Sequence, residues 1–520
     1  MQHASSRNLP IPKPSLSLPN NILDPKAWFS NVRGDLLAGA VVALALIPEA
    51  IAFSIMAGVD PKVGLYASFT MAITVAILGG RTGMISAATG AMAILVKDLV
   101  GAYGPTEGLQ YILGATILAG LLQIFFGIIK VGNQVRFIPR AVMVGFINAL
   151  AIIIFRAQLP QLQGEGASIV VYAMVAVALA IIYLLPRLTT LIPSPLVAIA
   201  AVTVFSMVTG INVPTVGDEG SIPATLPSFG LPQLSFDLGT LEIIFPVALA
   251  LSVVGLVDSF LTANVLDELT DTSSNKNQET FAQGIANVIT GCFGGMAGCA
   301  MIGQSVINIK SGGRQRLSTF SAGVLLLFFL MVMGTWEKQI PMAAMVAVMF
   351  LVAIGTFNWD SVRNIKKLPR SETAVMVSTV VATLVTNNLA IGVGSGVLLS
   401  TLVFAGKIAK LVFVDSSLDE TGTHRTYSIA GQIFFVSINT FVGAFDLKEN
   451  VERVTIDLTH AHLWDQGAVK AVDRIVLKFR RRGTVVNLVG LNEASATLVS
   501  RLAVHDKAQE IGGLANNKSA

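Results

Sequence analysis

Asp258 is the residue from which a chemical reading of this chain starts, because it stands inside an apolar run from about Ile243 to Val265 that is long enough to cross a bilayer. An ionisable group at that depth is costly, and by default it marks the path of an ion or a substrate. Thr262 follows one helical turn later on the same face. A carboxylate and a hydroxyl are both hard oxygens and can begin a cation site. The plainer reading is that Asp258 bonds a neighbouring helix and Thr262 bonds back to its own backbone. Two small-residue stretches offer the complementary chemistry. Residues 84–92 read GMISAATGA and residues 294–301 read GGMAGCAM, each poor in helix propensity and each leading into a short apolar helix. Matched interruptions in the two halves of a membrane chain are the mark of an inverted repeat, whose half-helix N-termini meet near the midplane. Their free amides and dipoles favour an anion there without a buried lysine. Alternatively, the glycines only let helices pack closely.

The elements that must position these residues are membrane spans. Of 520 residues 53% are hydrophobic and 13% charged, and the mean hydropathy is +0.70, which excludes a soluble globular chain. Apolar segments fall near 36–56, 64–80, 85–100, 109–129, 138–157, 167–185, 190–210, 241–265, 280–294, 299–309, 317–334, 341–356, 372–388 and 390–407. With fourteen spans both termini lie on one side. Arg33, Arg81, Lys130, Arg136, Arg187, Lys310, Arg314, Arg316, Arg363, Lys366, Lys367 and Arg370 all fall on that side, whereas the loop from Ile211 to Thr240 has no Lys or Arg. The positive-inside rule therefore places the termini in the cytoplasm of a cell inner (plasma) membrane protein. The net charge of +4 reports topology and not a nucleic-acid partner. Cys292 and Cys299 lie in membrane-buried sequence, with neither a disulfide framework nor metal-ligand spacing. The polar, Pro-rich start lacks the apolar core of a signal peptide.

After Lys410 the composition changes. RTYSIAGQIFFVS, a strand near Val454 to Thr459, a helix from about Gly467 to Arg480, the strand TVVNLVG and a helix from Glu493 to Leu502 alternate as in a small α/β domain. The expected organisation is a cytoplasmic segment 1–33, a transport domain 34–410, an α/β domain 424–510 and a tail 511–520.

LIPEAIAFSIMAGVDPKVGLYASF in the first two spans, FIPRAVMVGFINALAIIIFRAQL in the fifth, GCAMIGQSVINIKSGGRQRLST in and after the tenth, and the terminal α/β domain together resemble a SulP-family anion transporter with a C-terminal STAS domain. The resemblance covers nearly the whole chain. It implies a transporter and not an enzyme, with no cofactor: fourteen spans in a seven-plus-seven inverted repeat, a core domain (spans one to four and eight to eleven) moving against a gate domain, and a homodimer in which STAS takes part. By that analogy the anion lies among Glu49, Ala52, Phe53, Ser86, Ala88, Thr89, Gly90, Cys299, Ala300, Met301 and Ile302. A sodium ion falls to Asp258, Thr262, Gly298 and Ala300.

Three departures from the family pattern guide the choice of substrate. Asp258 replaces the glutamate of many members, and an Asp followed four residues later by Thr resembles the family's sodium-dependent bicarbonate transporters. Glu49 follows Pro48 where many members have Gln; ionised it repels an anion, protonated it donates a hydrogen bond or carries a coupling proton. Gln304 stands where many members carry arginine, so no fixed cation remains at the centre. Two dipole ends of about half a charge each balance a monoanion better than a dianion once sodium compensates Asp258. Sodium-coupled bicarbonate uptake by an elevator-like movement comes first. A proton-coupled carrier of sulfate or dicarboxylates is the main rival, nucleobases a more distant one, and an uncoupled channel or a STAS-based membrane scaffold the readings from another class. The basic loop Lys310 to Ser318 lacks the spacing of a phosphate-binding loop and serves orientation. Arg156 snorkels to the interface or attracts anions. Leu463-Trp464-Asp465-Gln466-Gly467-Ala468 holds no serine, so a phosphorylation switch of the anti-sigma-factor-antagonist kind is absent and a dimerising role for STAS is expected.

Overall fold

The computed structural model describes residues 24–133, 139–163, 169–188, 193–211, 213–218, 227–235, 237–337 and 339–505. Arg136, most of the segment 1–33, part of the loop 211–240, residues 506–510 and the tail 511–520 lie outside the described residues. The chain divides into two compact units, Met1–Val397 and Leu398–Ala520.

Among its described residues the first unit is mainly helical, with two three-residue strands. After α1 (Val32–Ala57), α2 (Pro61–Leu78) starts with proline behind Asp60, whose carboxylate accepts the Lys62 amide at 3.3 Å. The chain then leaves the helix and forms β1 (Ser86–Ala88). α3 (Gly90–Ile128) is interrupted once, where Gly104 takes φ 77 before Pro105, so the spans expected at 85–100 and 109–129 join through a single corner. α4 (Arg140–Gln163), α5 (Ile169–Leu184) and α6 (Ser194–Thr209) complete the first half. The second half repeats the order: α7 (Leu238–Thr270), α8 (Lys276–Cys292), β2 (Gly298–Ala300), α9 (Ile302–Lys310), α10 (Arg316–Glu337), α11 (Met342–Thr356), α12 (Arg370–Thr386) and α13 (Leu389–Ala409).

Among the described residues, seven helices are long and apolar enough to span a membrane, and α6, α10 and α11 contribute shorter apolar ones. The helices sort into two packed groups. α1, α2, α3, α7, α8, α9 and α10 pack on one another, and α4, α5, α6, α11 and α12 form the second, which meets the first mainly where α11 lies on α1. Small residues allow the closest approach: a Cβ on Gly120 of α3 would stand 2.6 Å from the Gly284 carbonyl of α8, and one on Gly284 2.7 Å from the Gly120 carbonyl.

The second unit holds a four-stranded sheet in the order β3 (Phe413–Leu418), β4 (His424–Ile433), β5 (Arg453–Leu463), β6 (Val485–Val489). The first pair is antiparallel and the other two parallel, which requires crossovers. These are supplied by α14 (Ile438–Gly443) and α15 (Gln466–Arg480), and α16 (Glu493–Leu502) follows β6. α15 buries Ala468, Val472, Ile475 and Phe479, one helical stripe, against Tyr427, Ile456 and Phe441. Asp465 is fully engaged as its N-cap: Oδ1 accepts the Ala468 amide at 2.8 Å and Oδ2 the Phe435 amide at 2.8 Å. β3 and α14 were not anticipated. β3 is mostly exposed and polar at Asp415 to Ser417, so it carries little periodicity, and α14 is less than two turns long.

Candidate anion and cation site

β1 and β2 pair antiparallel, with Ser86 opposite Ala300, Ala87 opposite Cys299 and Ala88 opposite Gly298. Each strand runs through one residue into a helix, so α3 and α9 leave opposite ends of the ribbon, the last strand residues Ala88 and Ala300 being two pairing positions apart, about 7 Å along it. Ser305 Oγ accepts the Ile85 amide at 2.9 Å and the Ile85 carbonyl accepts the Met301 amide at 2.9 Å, which extends the tie. The two helix starts differ. Thr89 caps α3 by accepting the Met92 amide at 3.4 Å. Met301 gives α9 no side-chain cap, so its first amides are left for another acceptor. Gly303 beside them is exposed, with open space where a Cβ would stand.

The expected anion residues gather at this ribbon, though not all face it alike. Glu49, half-buried on α1, accepts a hydrogen bond from Gln304 Nε2 at 2.8 Å, and Gln304 Oε1 is buried without a partner. Ala52 and Phe53 are buried. The Phe53 ring and Ile154 of α4 both close on Gly90, where a Cβ would lie 2.9 Å from Ile154 Cδ1 and 3.0 Å from Phe53 Cε1. The start of α3 is thus a contact between the two helix groups. Ser86 turns towards α8 and accepts from Gln283 Nε2 at 2.7 Å, and the Ala88 amide donates to Ser68 Oγ at 3.3 Å.

On the cation side, α7 lays one face on β2. Gly255 faces the strand, a Cβ there standing in ordinary contact with Cys299 Cβ at 3.6 Å and closer to Gln123 Nε2 at 3.2 Å. One turn on, the Cys299 thiol donates to Asp258 Oδ2 at 3.5 Å and Ser259 Oγ accepts the Ala300 amide at 3.2 Å. Thr262 Oγ1 donates to the Asp258 carbonyl at 2.9 Å, so the backbone-bonding alternative is realised for this hydroxyl, whose oxygen keeps lone pairs for a cation. The Gly298 carbonyl accepts from Asn287 Nδ2 at 3.1 Å and likewise keeps a lone pair. Asp258 and Ser259 thus reach the middle and the far end of β2, Cys299 and Ala300, whereas Gly298 stands at the strand's other end, held by Asn287.

Sequence reasoning missed the polar support behind the strands. Glu279, Gln283 and Asn287 recur every four residues along α8. Glu279 accepts the Gly80 amide at 2.7 Å and Gln283 Nε2 at 2.8 Å. Asn287 Oδ1 accepts the Gly298 amide at 2.9 Å and its Nδ2 also donates to Gln123 Oε1 at 2.9 Å. That stripe is readable in the sequence as buried polar residues at helical spacing on a face that otherwise holds only small residues.

Two helix groups packed around a buried two-stranded ribbon, from whose ends two helices start, define a polytopic membrane protein. Residues 32–178 and 165–379 match the sulfate permease family and residues 416–513 the STAS domain. The chain belongs to the sulfate permease family, a family of membrane anion transporters and not of enzymes. It is 55% identical over 476 residues to the candidate sulfate transporter YbaR of Bacillus subtilis, covering 92% of this chain and 98% of that one. It is 29% identical over 414 residues to the bicarbonate transporter BicA of Picosynechococcus, covering 74% and 72%. The transmembrane domain of a cyanobacterial BicA superposes with a TM-score of 0.63 at 29% identity, over 72% of this chain and 98% of that one. Murine solute carrier 26 family member A9 in its inward-facing state superposes at 0.79 over 91% and 88%; at 16% identity it shows the fold alone. The anion-transporter fold and the STAS domain expected from the sequence are thereby established.

Proposed function

We propose that this chain is a cation-coupled carrier of a small inorganic oxyanion, with sodium-coupled bicarbonate uptake as the first reading. The supporting observation is the meeting of two helix N-termini at a ribbon flanked by the carboxylates Asp258 and Glu49, with neutral Gln304 bonded to the latter. Sodium at Asp258 cancels that charge, and with Glu49 carrying its proton the two dipole ends of about half a charge each balance one negative charge. Similarity to BicA supports the same reading. The exposed start of α9 is the first landing point for the anion, and Gly90 against Ile154 is where the core group closes on the gate group. In this reading the chain sits in the plasma membrane with both termini in the cytoplasm, works as a homodimer with STAS participation, and moves its core group by an elevator-like step.

The second reading, a proton-coupled sulfate or dicarboxylate carrier with Glu49 or Asp258 as the proton carrier, is favoured by the name of the 55% identical relative, a sulfate transporter. Uptake of radiolabelled bicarbonate and sulfate into proteoliposomes, with sodium and proton gradients imposed separately, tests both. Sodium-driven bicarbonate uptake that Asp258→Ala abolishes supports the first; sodium-independent, acid-stimulated sulfate uptake overturns it in favour of the second.

A further inference from the structure

The two halves of this site are joined by three side chains in a row. Cys299 lies at the middle of β2, fully buried and opposite Ala87. Its sulfur is 3.5 Å from Asp258 Oδ2 on one side and 3.3 Å from Thr89 Oγ1 on the other, and Thr89 Oγ1 accepts the Met92 amide of α3. A thiol has one proton to donate, and an ionised carboxylate can only accept. With Asp258 ionised and bare, the direction of the row is therefore set: the thiol donates to Oδ2, and the Thr89 hydroxyl donates to the sulfur and is held away from the anion. With a sodium ion on the carboxylate, Oδ2 is a poorer acceptor and the thiol can donate to Thr89 Oγ1 instead. The hydroxyl hydrogen is then free to turn to an anion at the start of α3.

We infer that Cys299 is a positioning residue that reports cation binding at Asp258 to the Thr89 hydroxyl, so that the donor becomes available to the anion when the cation is in place. The inference rests on the coupled-carrier reading above and supplies its coupling step. Cysteine suits the role because its S–H is a weak donor that either neighbour can hold.

The test uses the full-length protein in lipid nanodiscs, with bicarbonate as the anion and sodium gluconate against N-methylglucamine gluconate. In the wild type, sodium tightens bicarbonate binding by about tenfold, in the ordinary range for coupled sites. Cys299→Ala lowers that factor to under about twofold, and Cys299→Ser, which keeps one donor and its acceptors, retains most of it. The infrared S–H band that Cys299→Ala removes shifts when sodium is added, and the Cys292 band does not. A Cys299→Ala protein with the full sodium effect, or a Cys299 band indifferent to sodium in a wild type that shows the effect, overturns the relay alone. A wild type with no sodium effect overturns the sodium-coupled reading and the relay with it. If Cys299→Ala does not fold, the band shift and Cys299→Ser decide.

Discussion

Replacing Asn287 by alanine removes a residue that touches neither ion in this account yet holds the strand on which both depend. Asn287 makes three buried hydrogen bonds, to the Gly298 amide at 2.9 Å, the Gly298 carbonyl at 3.1 Å and Gln123 Oε1 at 2.9 Å. Without it the Gly298 N–H and Gln123 Oε1 are left unpaired in buried surroundings, at about 1–3 kcal/mol each, so the folded state loses roughly 3 kcal/mol or more. On its other side the strand lies close against β1, where a Cβ at Gly298 would stand 2.6 Å from the Ala87 carbonyl oxygen. Its available response is to swing away from α8, which shifts Cys299 and Ala300 relative to Asp258 and Ser259. The assay is thermal unfolding of the detergent-solubilised protein together with bicarbonate binding. Asn287→Ala should lower the midpoint and weaken anion binding about tenfold or more, since each 1.4 kcal/mol diverted from the site is tenfold in affinity. Thr290→Val is the control, on the same helix and bonded to Thr70 Oγ1 at 2.7 Å. It should cost about 1 kcal/mol of stability and leave anion affinity unchanged. An Asn287→Ala protein with wild-type midpoint and affinity, or a Thr290→Val protein with the same binding defect, refutes the reasoning.

Gly90→Val places methyl groups where Ile154 and Phe53 now meet the start of α3; uptake should fall at least about tenfold with the fold retained, since overpacking of 1–3 kcal/mol falls on the contact between the helix groups. Gln304→Arg adds a fixed cation beside Glu49 and should shift competition towards sulfate by about tenfold, a unit charge some 6 Å away at an effective dielectric near 20 being worth about 3 kcal/mol before desolvation; unchanged selectivity in competition uptake contradicts the charge argument. Outside the membrane, the Thr459 hydroxyl and amide hold the Asp457 carboxyl below the usual aspartate range. This stabilisation is complete above the unfolded carboxyl's value and is lost as pH falls through the lowered folded value. The protection factor of the Thr459 amide in the full chain, its exchange corrected for the intrinsic rate at each pH, should therefore fall at acid pH in the wild type and show no such step in Asp457→Asn.

The apolar runs, the two interrupted segments and the face carrying Asp258 were legible because each depends on local spacing, and the helix from Glu493 to Leu502 was placed with its observed bounds. Pairing was not legible. Nothing within Ser86–Ala88 or Gly298–Ala300 says that the two cross, since the contact spans more than two hundred residues and involves backbone groups that every residue carries. Thr262 shows the opposite limit: its spacing from Asp258 was read correctly, but a hydroxyl one turn away can bond to the helix itself as well as to an ion, and sequence does not rank the two. The supporting amides Gln123, Gln283 and Asn287 carry no charge and so stand out little in an apolar sequence, whereas a buried ribbon is held in place by such neutral groups, which can both donate and accept.

The central claim, an anion held by the amide ends of α3 and α9, is tested most directly by solid-state NMR distance measurement between ¹³C-bicarbonate and backbone ¹⁵N in the sodium-loaded protein in lipid. The account predicts dipolar contact to the Ile302 and Gly303 amides and to the first turn of α3, lost in Asp258→Ala. Bicarbonate that binds without contact to either helix start, or keeps both contacts unchanged in Asp258→Ala, contradicts it.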